Sequence, residues 1–229
     1  SSHRSSSMLL LSPGPWWPQM ASTGMGILLC LVAALDALPA VGGQEPTAVV
    51  SCDTTVGQLD INIFREWAPK GADHFLELVQ DGWYTDIALF RAVQGFLVQF
   101  GINTDESLRE KWGGGVIDDD PSQDIPFQLG TLSYAGSGPN SRSNQVFLAL
   151  GPNPNLGQSP WETPIGRVAE SSMDTLMSIN TDYGDMPPWG DGPDPAKIQQ
   201  RGNAYVREGF PKIDFIRSCR VADATGHDL

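Results

Sequence analysis

Residues 90–100 read FRAVQGFLVQF, which sets Arg91, Gln94 and Gln99 among Phe90, Val93, Phe96, Leu97, Val98 and Phe100. Arginine is permanently charged and carries its N–H donors in a rigid fork, so in an apolar setting it can stabilise a lone pair or charge that develops during a reaction. The competing reading is a half-exposed strand whose alternation simply turns Arg91 to water. Other chemistries find little support. There is no CxxC, no HExxH and no cluster of histidines, so a zinc site has no basis, and no metal is expected. The GGG at 113–115 lacks the Lys-Ser/Thr of a phosphate loop, and no serine lies in a G-x-S-x-G elbow. The aspartates at 118–120 and at 182, 185, 191 and 194 could attract calcium. They lack the spacing and closing glutamate of an EF-hand, so solvated loops are the expectation and a calcium-binding surface protein the weaker alternative.

The elements that must position Arg91 are short. A clean alternation over 58–64 sends Leu59, Ile61 and Ile63 to one face, and with the strand expected over 47–52 it forms a hairpin around the turn at 54–57. A helix follows over 67–82 with Pro69 in its first turn and an apolar stripe of Ala72, Phe75, Leu76 and Val79; His74 falls off that stripe and is expected on the surface. Further strands are expected at 89–93, 97–100, 131–134, 146–150, 164–168 and 212–222. A second short helix at 173–177 is expected to be capped by Ser171 and Asp174. With 25 glycines and 18 prolines among 229 residues, an antiparallel barrel or sandwich is the leading class. The formal charge of −13 argues against nucleic acid as a partner.

Residues 1–44 read as a targeting segment. Asp and Glu are absent before residue 36, and the apolar run 26–35 precedes small residues resembling a cleavage site. Export through the secretory pathway is the expectation, with a plastid lumen or a membrane anchor at 26–35 as alternatives. Residues 45–225 then form one domain and 226–229 a tail. No other membrane partner is expected, and a monomer is the default. Cys30 lies in the apolar run, which leaves Cys52 and Cys219; an even pair in an exported protein invites a disulfide, two separate buried thiols being the other reading.

Taken together, FRAVQGFLVQFG and the later GTLSYAGSGPNSRSNQVFLAL (130–150) resemble the two long motifs of the cyclophilin-type peptidyl-prolyl cis-trans isomerases. The resemblance runs over 49–221 and suggests a divergent branch with an extended C-terminal region. It implies a mainly β fold, a closed eight-stranded antiparallel barrel capped by two helices, with no cofactor and with proline-containing polypeptides as substrates. It also implies roles: Arg91 stabilises the twisted X-Pro amide, Gln99 and Gln145 orient it and bind substrate backbone, and Phe96, Leu97, Phe147 and Leu156 form the prolyl slot. Ala135 and Gly136 would lie along the peptide. Three positions depart from the family pattern. Gly136 stands where Asn is common, Asn155 stands where many members have Trp, which argues against cyclosporin-like ligands, and Trp161 takes the place of a pocket His. A catalytically weak proline-peptide-binding module on the same fold is the alternative function.

Overall fold

The computed structural model describes residues 44–222; apart from Gln44, the expected targeting segment lies outside the described residues, as does the tail at 226–229. The first element of the described residues is the hairpin of β1 (Ala48–Thr54) and β2 (Gly57–Ile63), paired in register from Ala48↔Ile63 to Thr54↔Gly57. Alternation on β2 works as the sequence implies. Leu59, Ile61 and Ile63 are all buried in the main core, each worth about 1.5–3 kcal/mol relative to exposure. Helix α1 (Pro69–Gln80) starts on Pro69, whose missing N–H costs nothing in a first turn. Its buried face is Ala72, Phe75, Leu78 and Val79, with Gly71 and His74 beside them. Leu76 is only partly buried, so the stripe is rotated from the one expected.

The rest of the sheet is built from β3 (Ile87–Ala88), β4 (Arg91–Val93), β5 (Leu97–Phe100), β6 (Thr131–Tyr134), β7 (Val146–Ala149), β8 (Gly166–Val168) and β9 (Phe215–Ala222), with the short helix α2 (Glu106–Trp112) between β5 and β6. Their order is β3-β9-β1-β2-β8-β6-β7-β5-β4, antiparallel at every step. This corrects the expected closed eight-stranded barrel: among the described residues the sheet is a curled half-barrel of nine strands with no ladder between its edges. The reason lies at Leu89 and Phe90. The strand expected over 89–93 starts only at Arg91, as β4; Leu89 and Phe90 lie in no strand and separate it from β3, just ahead of the expected range, so β3 and β4 serve opposite edges of the sheet. The chain passes from one edge to the other through Leu89 and Phe90, and no ladder forms between β3 and β4.

The helices also differ in number from the two expected. Helix α3 (Met173–Met177) follows a 3-10 turn at Glu170–Ser172 and has no side-chain cap; the Ser172 hydroxyl instead accepts the backbone N–H of Asp60 at 3.0 Å. Two more helices, α4 (Pro195–Arg201) and α5 (Asn203–Gly209), arise from the C-terminal extension. Ile198 of α4 and Val206 of α5 close a second core with Ala88, Phe90, Ile102, Ile213 and Phe215. Neither helix is long enough to show its period clearly, and neither was expected from the sequence.

Several aspartates expected on solvated loops have specific partners. Asp120 accepts the backbone N–H groups of Lys70 (3.0 Å) and Gly71 (2.9 Å) and the Nη1 of Arg142 (2.9 Å), and Arg142 itself is fully buried. Asp194 caps α4 through the N–H of Ala196 at 2.9 Å, and Asp182 meets Lys212 at 2.8 Å. Cys52 and Cys219 face each other in the β1–β9 register and are joined by a disulfide, 167 residues apart in sequence.

Contrary to expectation, His74 is buried. Its Nε2 lies 3.2 Å from the Asn144 Oδ1, and its ring meets Trp112 edge-on. Burial holds its pKa below the ordinary value, outweighing the Asn144 hydrogen bond that acts the other way. In the unfolded chain the imidazole titrates near ~6.5. Below that pH the unfolded state takes up a proton that the folded state resists, so His74 should weaken the fold as pH falls from above this value. Urea midpoints for the protein and His74→Gln at pH 7.5 and 5.5 should show a larger acid loss in the parent; equal losses would contradict the assignment.

Candidate active site

Strand register brings the chemistry-bearing side chains into one row. Arg91 on β4 lies opposite Gln99 on β5, Gln99 lies opposite Phe147 on β7, and Phe147 lies opposite Ser133 on β6. Opposed residues point to the same face of a sheet, so the row is continuous. Alternation sends Val98 and Phe100 inward to the main core and leaves Leu97 and Gln99 on the other face. There Leu97, Phe127, Phe147 and Ala149 form a separate cluster, with Phe96, Ala135 and Leu156 packed against it. Phe127 and Phe147 stack with ring centroids 5.7 Å apart. These apolar residues therefore do not belong to the main core. Phe96, Leu97, Ala135, Phe147 and Leu156 among them line a shallow cavity of about 270 Å³ on the outer face, together with Arg91, Gln99, Gly136, Glu162 and Met186.

Polar geometry within the row is specific. The Nη1 of Arg91 donates to the Oε1 of Gln99 at 3.1 Å, and the Nε2 of Gln99 donates to the Oε1 of Gln145 at 3.0 Å. On its other side the guanidinium forms a two-pronged ion pair with Asp185, Nε to Oδ1 at 2.7 Å and Nη2 to Oδ2 at 3.1 Å. Its Cζ stands 5.7 Å from the centroid of Phe96. An arginine has five N–H donors, and these contacts use three, leaving one on each Nη without a described hydrogen bond.

Of the residues singled out from the sequence, Arg91, Phe96, Leu97, Gln99, Ala135, Gly136, Phe147 and Leu156 line this one cavity. Gln145 stands behind Gln99 and faces a neighbouring cavity with Gly101, Ser143 and Asn144. Trp161 is not among the lining residues; it packs against the backbone of Gly136, where an added Cβ would come within 3.0 Å of its ring. Asp185, Met186 and Glu162 were not singled out as site residues. Glu162 accepts the N–H of Gly157 at 3.1 Å, yet burial still raises its carboxyl pKa. Asp185 sits in a Pro/Gly/Asp loop far along the chain, and nothing local in the sequence points it at Arg91. Among the described residues no group of three or more His, Cys, Asp or Glu side chains converges as a metal ion would require.

Comparison with known proteins bears on the family. The chain is 30% identical over 142 residues to the peptidyl-prolyl cis-trans isomerase CYP18-2 of Arabidopsis thaliana, covering 60% of this chain and 85% of that one. It is 31% identical over 147 residues to the isomerase ppi1 of Schizosaccharomyces pombe, covering 61% and 92%. Against the peptidyl-prolyl cis-trans isomerase-like 2 of Gibberella zeae, 30% identical over 147 residues, the match covers 62% of this chain but spans only a quarter of the relative's length. In fold it is similar to a cyclophilin-type isomerase of Cryptosporidium parvum crystallised in the presence of the dipeptide Ala-Pro, with a TM-score of 0.53, 19% identity and coverage of 76% of this chain and 99% of that one. The family model for cyclophilin type peptidyl-prolyl cis-trans isomerase/CLD matches residues 49–200. On the sequence matches, the chain belongs to the cyclophilin-type peptidyl-prolyl cis-trans isomerase family, whose members are isomerases.

Proposed function

We propose that this protein catalyses rotation about X-Pro peptide bonds in proline-containing polypeptides, with Arg91 stabilising the twisted amide. The observation that carries the proposal is Arg91 itself, fixed at the edge of an apolar slot with Nη–H groups still available. Rotation is opposed by a barrier of ~18–20 kcal/mol, which comes from amide resonance. At the top of that barrier the prolyl nitrogen regains its lone pair, so a donor directed at it binds the transition state better than either ground state. No bond is made or broken, and proton transfer is not required. The prolyl ring would rest on Leu97 and Phe147, with Phe96 and Leu156 at the sides and the peptide running past Ala135 and Gly136. Apolar walls exclude water and so strengthen the field of the guanidinium.

Uncatalysed X-Pro exchange takes tens to hundreds of seconds, slow enough to limit folding. We therefore propose unfolded or loop segments in an exported compartment as the substrates. The apolar run at 26–35 and the Cys52–Cys219 bridge support that compartment, since disulfides persist under oxidising conditions. Thiol titration of the native secreted protein should find neither Cys52 nor Cys219 free; two free thiols there would speak against export.

A cis/trans exchange assay over a panel of X-Pro peptides should show acceleration by the protein. Arg91→Ala, still folded by circular dichroism, should lose most of it, about 10²-fold or more, as expected for removal of one transition-state donor. No acceleration on any peptide by the folded parent would refute the enzyme and leave a peptide-binding domain.

A further inference from the structure

The ion pair between Arg91 and Asp185 is built by more of the chain than a surface contact requires. Gly184 forms an antiparallel bridge with Ala92, so the loop is laid beside β4 one residue from Arg91. The loop then closes on Asp185: the N–H of Gly192 donates to its carbonyl at 2.8 Å. Side chains are excluded at two points of this closure. A Cβ on Gly190 would lie 2.4 Å from the Asp185 carbonyl oxygen, and one on Gly192 would lie 2.8 Å from the same atom. From behind, the loop is braced by the extension. Tyr183 meets Phe210 edge-on at 5.2 Å, Asp182 pairs with Lys212, and the Tyr205 hydroxyl accepts the N–H of Asp194. The next residue, Met186, lines the cavity. The second core, with Ile198 and Val206, thus supports the segment that carries Asp185.

We infer that Asp185 is a positioning residue for the isomerisation: it fixes the Nε–Nη2 edge of Arg91 so that the remaining Nη–H groups face the prolyl amide. This inference rests on the function proposed above. An arginine on the outer face of a sheet has four rotatable bonds, and Gln99 restrains it through one nitrogen alone. A fork-to-fork pair with a carboxylate fixes the plane as well. The side chains of Arg91 and Asp185 are 17% and 21% exposed, so water competes little for the pair. The carboxylate also draws off part of the guanidinium's charge. Orientation is the larger effect, because displacing a catalytic group by about 1 Å can cost ~10²-fold in rate.

The full chain, Asp185→Ala, Asp185→Asn and Gly190→Ala would be compared by NMR exchange kinetics on one X-Pro peptide. The Arg91 Nε–Hε resonance and the melting temperature would be followed in parallel. Asp185→Ala should lower kcat roughly tenfold while KM changes little, as for an interaction that matters only in the transition state. Asp185→Asn, which keeps one acceptor, should fall between, and Gly190→Ala should reproduce the loss with Asp185 still present. The Nε–Hε resonance should be distinct in the parent and solvent-averaged in Asp185→Ala. An unchanged kcat in Asp185→Ala, whatever its melting temperature, would reduce the pair to a structural tie and overturn the inference. A higher kcat would make the carboxylate a brake and overturn it equally. An inactive parent would remove the isomerase reading and this inference together, whereas an active parent with a silent Asp185→Ala removes this inference alone.

Discussion

A guanidinium held on the outer face of a curled sheet, with its donors neither buried nor free to swing, is the constraint around which the site is arranged. Arg91 meets Gln99 on one side and Asp185 on the other, and the two partners come from different levels of structure. Gln99 is set opposite Arg91 by β4–β5 pairing, which needs only one tight turn. Asp185 arrives from a loop more than ninety residues away along the chain, and that loop needs a second core to hold it. Inexpensive local pairing supplies the first restraint, and long-range packing supplies the second.

The sheet divides its side chains between two tasks. Inward-facing residues such as Val98, Phe100 and Leu148 fill the main core, while Leu97, Phe147 and Ala149, from the same strands, form an apolar floor outside it. A slip of one residue in β5 would exchange these faces, sending Gln99 into the core and Val98 into the slot, and a slip in β7 would exchange Phe147 and Leu148 in the same way. Register is therefore also what specifies the site. The β1–β9 bridge and the buried Arg142–Asp120 pair secure other seams of the same frame, the latter tying the start of α1 to the segment between β6 and β7.

Much of this was legible in the sequence. The β1–β2 hairpin showed itself in Leu59, Ile61 and Ile63, and the two long motifs pointed to the family and to seven residues that share a cavity, with Leu156 added by the wider resemblance. What escaped has physical causes. Leu89 and Phe90 are apolar with no turn signal, so the strand expected over 89–93 ran through a break and β3 ahead of it was missed, while the closed eight-stranded barrel was what the resemblance implied. His74 looked polar enough for the surface until Asn144, seventy residues on, gave it a partner. The helices of the extension are seven residues each, too short for a period to emerge. Asp185 carried no local signal: its pairing with Arg91 spans 94 residues and exists only once the loop, with bare backbone at Gly190 and Gly192, is folded.

The most direct test of the account is the structure of the protein with a bound X-Pro peptide. The account predicts the prolyl ring on Leu97 and Phe147, an Nη of Arg91 directed at the prolyl amide, and the Asp185 pair intact. A peptide seated away from this face, or an Arg91 that must leave Asp185 to reach the amide, would contradict it.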